Sequence, residues 1–147
     1  MTTAEITNGL PSQLRLTVMR LARRLRQESA GDITASQLSA LATVDRRGPL
    51  SLRELAEIER VAPPSVTRIV CALEERGLVV RTVDTADRRV ARMASTEAGR
   101  CLLEQTRTAR DAYLASRLSG LSPAELGIVA RALPILERLA TQVEGSP

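Results

Sequence analysis

Arginine is the residue type in this chain whose number and spacing could do chemistry. All 21 basic residues are Arg, and neither Lys nor His occurs. That absence removes Ser-His-Asp and Cys-His nucleophilic sites, a Schiff-base lysine and the phosphate-binding lysine of a Walker loop. Cys71 and Cys101 lack CxxC spacing and, without histidine, cannot complete a tetrahedral zinc site. They are expected to be a buried, reduced pair of thiols. No catalytic residue, metal or cofactor is therefore predicted. What a guanidinium does well is hold phosphate or the guanine edge through two parallel bonds. Arg81, Arg88, Arg89 and Arg92 crowd into twelve residues, and the whole formal excess of +4 lies before residue 96. An anionic partner is expected to meet that part of the chain.

Composition narrows the partner. Tyr113 is the sole aromatic residue, so single strands stacked on aromatic platforms are a poor match. No apolar run reaches the ~18 residues needed to span a bilayer, and the first residues lack the basic-then-apolar order of a secretory signal. A cytoplasmic protein with no membrane partner is expected.

The elements that must position the arginines can be read from period and caps. Leu14, Val18, Leu21 and Leu25 form one apolar face of a helix over residues 10–27. Residues 28–32, with Gly31, connect it to a second helix capped by Thr34, whose Leu38, Leu41 and Ala42 point inward until Gly48-Pro49 stops it. Ser51 and Glu54 make a capping box for a short third helix carrying Leu52, Leu55, Ala56 and Ile58, with Arg53 on its outer side. Pro63 and Pro64 open a fourth helix, whose apolar residues are Val66, Ile69, Val70 and Leu73 and which Gly77 ends. Residues 78–83 and 90–93 read as a hairpin with the charged tip 84–89. Thr96 caps a long helix with a seam of Ala98, Leu102, Ala109, Ala112, Tyr113 and Ser116. Ser122 and Glu125 open a last helix with a stripe of Leu126, Val129, Leu133, Leu136 and Val143, kinked at Pro134. About eight N-terminal residues and residues 145–147 are expected to fray.

This is a mainly α fold with a small β-hairpin wing: a winged helix-turn-helix with N- and C-terminal dimerisation helices. The division is 1–33 for the N-terminal dimerisation helix, 34–95 for the DNA-binding domain and 96–147 for the C-terminal dimerisation helices. A helix preceded by a short helix and a turn fits the major groove of a DNA duplex. The first turns of the fourth helix offer Pro63, Pro64, Ser65, Thr67 and Arg68: small groups for close approach, hydroxyls, and one guanidinium for guanine. The wing offers Arg81, Arg88, Arg89 and Arg92 to phosphate or to a narrow minor groove, and Asp87 could hold Arg89 extended. Leu14, Val18, Leu126, Val129, Leu133 and Leu136 are the candidate dimerisation residues. Two other classes fit the residues less well. A winged protein-interaction module would not need so many wing arginines, and a carboxylate-based hydrolase would need convergent acids that the chain does not offer.

In order, TASQLSAL, LRELAE, SVTRIVCALEERGLVVR and DTADRRVARMASTEAGR resemble the MarR family of bacterial winged helix-turn-helix regulators, including a D-x-R wing followed by a T-x-x-G helix start. The resemblance spans about residues 10–143. It implies a homodimer interlocked through the first, fifth and sixth helices, double-stranded DNA as partner, and a repressor as the commonest role. Ser65, Thr67 and Arg68 match recognition-helix contacts, Arg89 the minor-groove arginine and Asp87 its orienting partner. A small aromatic or anionic effector is a further partner the resemblance implies. The chain departs from the pattern at Ala62, where a capping serine is frequent, at Cys71, where aspartate is common, and at Ser95, where leucine usually precedes the threonine. No cysteine occurs near the first helix, so the oxidant-sensing mechanism of one subgroup has no residue to use.

Overall fold

The computed structural model describes residues 9–28 and 31–141. Its elements in chain order are α1 (Leu10–Gln27), α2 (Ala35–Arg47), β1 (Leu50–Ser51), α3 (Leu52–Glu59), α4 (Pro63–Glu75), β2 (Val79–Val83), β3 (Ala91–Ser95), α5 (Glu97–Leu118) and α6 (Pro123–Thr141). The chain divides into two compact units, one up to Arg110 and one from Asp111, with α5 running across the division. The connection residues 29–30, the stripe residue Val143 and the expected frayed ends lie outside the described residues.

Local chemistry sets the helix ends. Thr34 accepts from the Gln37 amide at 3.2 Å while the Gln37 side chain accepts from the Thr34 amide at 3.1 Å, and Ser51 and Glu54 do the same for α3. Each box satisfies two amides that an isolated helix end leaves without partners. The Ser122–Glu125 box does so for α6. At the end of α4, Gly77 takes φ +67°, and the amide of Leu78 reaches back to the Leu73 carbonyl at 2.9 Å, the left-handed ending that favours glycine.

The core of the first unit is aliphatic. Leu41, Leu55, Leu73, Met93, Val44, Val66 and Val70 are its largest fully buried side chains, drawn from α2, α3, α4 and β3. Each contributes on the order of 1.5–3 kcal/mol. Ala40 and Val44 of α2 are buried as well, whereas the predicted inward residue Ala42 is only half-buried, as are Leu52 and Ile58 of α3. A polar latch closes the α2–α3 pair: Ser39 donates to Glu59 at 2.7 Å and Thr43 donates to the other oxygen of the same carboxylate.

The predicted hairpin is part of a three-stranded antiparallel sheet in the order β1-β3-β2. Leu50 pairs with Met93 and Ser51 with Arg92, while β2 runs from Val79 opposite Ser95 to Val83 opposite Ala91. β1 escapes a reading by period because it has two residues, and its strand character comes from β3, more than 40 positions away. After the buried Val79, β2 leaves the core, so Val80 and Val83 are exposed and the strand pair projects as a wing.

The face that α5 packs inward carries Gly99, Leu103 and Thr106, beside the predicted seam of small and apolar residues, of which Ala98, Ala112 and Ser116 are exposed. The cause is at its N-terminus. Thr96 donates to the Gly77 carbonyl at 2.6 Å, its amide bonds the Leu78 carbonyl at 3.1 Å, and its hydroxyl accepts from the Gly99 amide at 3.1 Å. These bonds set the rotation of the helix. The cysteines correct the expectation of a buried pair: both are free, Cys71 on α4 is half-buried, and Cys101 is exposed on α5, where Gln105 donates to its sulfur at 3.5 Å. Pro134 stands inside α6 without ending it.

Gly99 touches the start of β2 so closely that a Cβ there would overlap the Leu78 carbonyl oxygen and press on Leu41. Backbone on one side and a filled core on the other leave no room to yield. Gly99→Ala is expected to destabilise the protein by about 1–3 kcal/mol, read as a lower denaturant midpoint at unchanged slope, whereas the unobstructed Gly120→Ala is expected to lower it by less.

Candidate nucleic-acid interface

α4 owes its orientation to its apolar side. Val66, Val70 and Leu73 are buried, so Pro64, Thr67 and Arg68 on the other side face solvent, with Ser65 half-buried between. Its N-terminus is unusual in its donors. Ala62 supplies no side-chain cap, Pro63 and Pro64 have no amide hydrogen, and the amides of Ser65 and Val66 already bond the Ala62 carbonyl at 2.9 and 3.2 Å. From Pro63 to Val66, then, no amide is spare for an anion. Thr67 donates its hydroxyl to the Pro63 carbonyl at 3.0 Å, leaving oxygen lone pairs outward. Arg68 is exposed and makes no ion pair with a described carboxylate.

The wing tip is built by aspartates. Asp84 accepts from the amides of Ala86 and Asp87 at 2.7 and 3.1 Å, the side-chain turn that aspartate makes readily. Its other oxygen takes the Arg92 Nε–H. Asp87 holds Arg89 by Nε at 3.1 Å and Nη2 at 3.3 Å, and also accepts from the Arg89 amide at 3.0 Å. The Arg89 side chain is nonetheless 91% exposed. Arg88 is exposed beside it.

Three arginines are engaged elsewhere. Arg53 pairs with Glu57 one turn on, at 3.2 Å. Arg81 folds onto α4, with Nε 2.8 Å from Glu74 and Nη2 3.7 Å from the Cys71 sulfur. Arg92 does not point from the wing toward a ligand. Its guanidinium joins Asp84 to Glu54, which it meets at 3.0 Å, and also reaches the Pro49 carbonyl at 3.4 Å. Sequence reasoning saw Arg92 as a phosphate ligand because its partner Glu54 lies 38 positions away. Asp84 builds the tip, and its spacing of two and three residues from the amides that donate to it is the signal in the sequence. Ser95, in place of a leucine, donates to Asp45 of α2 at 2.8 Å, so a hydrogen bond stands where apolar packing was expected.

The electrostatics follow these contacts. The Arg92 guanidinium, helped by the amides of Ala86 and Asp87, pulls the Asp84 carboxyl down to about 2. Asp87 is lowered by the Arg89 side chain and amide, and Glu54 by the Ser51 amide and hydroxyl ahead of Arg92.

A family model described as the MarR family matches residues 33–91. An uncharacterized HTH-type transcriptional regulator of Mycobacterium bovis is 37% identical over 134 residues, 90% of this chain and 94% of that protein. The HTH-type transcriptional repressor MdtR of Bacillus subtilis is 32% identical over 122 residues, 80% of this chain and 79% of its own. Among solved structures, a MarR family protein from Bacillus stearothermophilus superposes with a TM-score of 0.76 at 27% identity, covering 97% of this chain and all of that one.

The Asp84 ion pair has a pH signature. A carboxyl whose folded value lies below its ordinary 3.8 contributes stability that is fully present above that ordinary value and is lost as pH falls toward about 2. Asp84→Asn is expected to melt below the wild type at neutral pH, with the gap closing between about pH 4 and pH 2. A gap that stays constant down to pH 2 would show that the turn amides, not the ionised carboxylate, carry the effect.

Proposed function

Because the chain belongs to the MarR family, it is a DNA-binding transcriptional regulator and not an enzyme, and we propose that it acts as a homodimeric repressor on a pseudo-palindromic operator. In this reading residues 34–95 bind DNA and the flanking segments 1–33 and 96–147 dimerise. The observation that carries it is the outward side of the first two turns of α4, with Thr67 and Arg68 turned away from the buried face of Val66, Val70 and Leu73.

Arg68 is assigned to a base edge in the major groove, with Ser65 and Thr67 beside it and the two prolines allowing close approach. Arg89, braced by Asp87, is assigned to the minor groove, with Arg88 at the adjoining phosphates. Arg53 and Arg81 reach phosphate only by exchanging Glu57 and Glu74 for it. Dimerisation is supported by apolar side chains that each unit leaves uncovered: Val18 on α1, 51% exposed, with Leu14 half-buried; and Leu126, Val129, Leu133 and Leu136 on α6, all exposed. Patches of this kind in a single chain mark protein contacts. Release by a small aromatic or anionic effector belongs to the same reading, on the strength of the family alone. Its work is assigned to the cytoplasm; among the described residues no helix is long and apolar enough to cross a membrane.

The test is a shift assay on the DNA flanking the chain's own coding sequence, at several salt concentrations, against scrambled duplexes. Arg68→Ala should lose about 1–3 kcal/mol on the preferred site and relax preference at one position per half-site. Arg89→Ala should weaken all duplexes alike and flatten the salt dependence, whereas Asp87→Ala should weaken binding more mildly without flattening it. Equal, small losses on every duplex for all three would leave only a generic basic surface.

The dimer is tested separately. Leu133 is exposed in the single chain, so Leu133→Asp should leave helicity intact while abolishing the dimer in sedimentation and, with it, tight DNA binding. A wild type that sediments as a folded monomer at micromolar concentration overturns this part.

A further inference from the structure

α3 ends on a residue that sequence reasoning passed over. Arg60 takes φ +53°, and it is the one non-glycine with positive φ among the described residues. The turn demands that conformation, because the Val61 amide bonds the Ala56 carbonyl at 3.1 Å and the Arg60 amide reaches the Ala56 and Glu57 carbonyls. Glycine is the residue that ends a helix this way without strain, and asparagine is the usual substitute. An arginine gains nothing for the fold here: it is exposed and has no ion pair or hydrogen bond from its side chain to a described residue. Strain without a structural return is a mark of function.

Its surroundings give the function. An open cleft of about 700 Å³ runs between α3 and the start of α4, with Arg53, Glu57 and Arg60 on one side and Pro63 and Thr67 on the other. The floor is apolar, including Leu52 and Ala56. Arg53 is neutralised by Glu57, so Arg60 is the cation left uncompensated in the cleft. No residue from Pro63 to Val66 offers a free amide, so a backbone phosphate passing the first turn of α4 gains most from a side-chain cation.

We propose that Arg60 is a DNA-phosphate contact, holding the strand that runs along this cleft beside the recognition helix and supplying the charge that the proline-opened helix end lacks. The proposal rests on DNA binding by this surface.

Four proteins decide it: the wild type, Arg60→Gly, Arg60→Ala and Arg60→Lys, each measured for melting temperature and for affinity to the flanking-DNA duplex and to a scrambled duplex of the same length across salt. Arg60→Gly relieves the strain and should melt at or above the wild-type temperature. It should nevertheless bind both duplexes more weakly, with the salt slope reduced by about 0.9 per protomer. Arg60→Ala should show the same slope loss without the gain in melting temperature, and Arg60→Lys should keep the slope. If Arg60→Gly binds with wild-type affinity and slope, or if Arg60→Gly and Arg60→Ala weaken DNA binding only in proportion to a loss of stability, the assignment falls while DNA binding by the protein stands. A wild type that binds neither duplex overturns both.

Discussion

One guanidinium ties together three segments that the chain keeps far apart. Arg92 on β3 meets Asp84 at the wing tip, Glu54 in the capping box of α3, and the Pro49 carbonyl just before β1. The Glu54 oxygen it meets is the same one that accepts the Ser51 amide. The cap of the short helix and the base of the wing therefore share a carboxylate. A wing of two strands is marginal alone, and beyond Val79 this one has no core beneath β2. Its direction relative to the helix-turn-helix depends on the Arg92 node and on β1, which pairs the same two residues of β3, Arg92 and Met93. The node is part-exposed, so its value lies in geometry more than in stability.

The core explains why such latches are needed. Without Phe or Trp, the first unit packs on Leu, Val, Ala and Met, and small side chains cover less of their neighbours than rings would. Polar bridges occur where aromatic packing would otherwise lock elements together: Glu59 between α2 and α3, Ser95 to Asp45, and Thr96 between Gly77 and Gly99. These fix rotation and register, which an aliphatic core tolerates loosely.

The features that declare themselves in sequence are those decided within four or five residues. The capping boxes at Thr34, Ser51 and Ser122, the glycine ending at Gly77 and the buried face of α4 are local, and α1 runs over the residues its spacing predicts. What sequence could not display is decided by distant partners or by the sign of a dihedral angle. β1 exists through Met93, the inward face of α5 is set by Leu78, and Arg81 and Arg92 are claimed by Glu74, Asp84 and Glu54. Cys101 looked like a core residue because an isolated thiol usually is, and only the rotation of α5 turns it outward. Arg60 reads as one more surface arginine until its φ is known.

The Asp87–Arg89 pair bears on how a wing can carry an acid toward a polyanion. The pair is nearly neutral, so it adds little long-range attraction, and at 91% exposure of the arginine its own contribution to stability is small. What the carboxylate does is occupy the Nε–H and one Nη2 hydrogen. Of the five guanidinium donors, this leaves three on the far side, in one plane and already extended. An arginine so held loses less side-chain freedom on entering a groove, and the entropy of ordering a long side chain is of order 1 kcal/mol. The acid thus trades attraction for preorganisation. That exchange favours a partner recognised by the width of its groove over one recognised by charge alone.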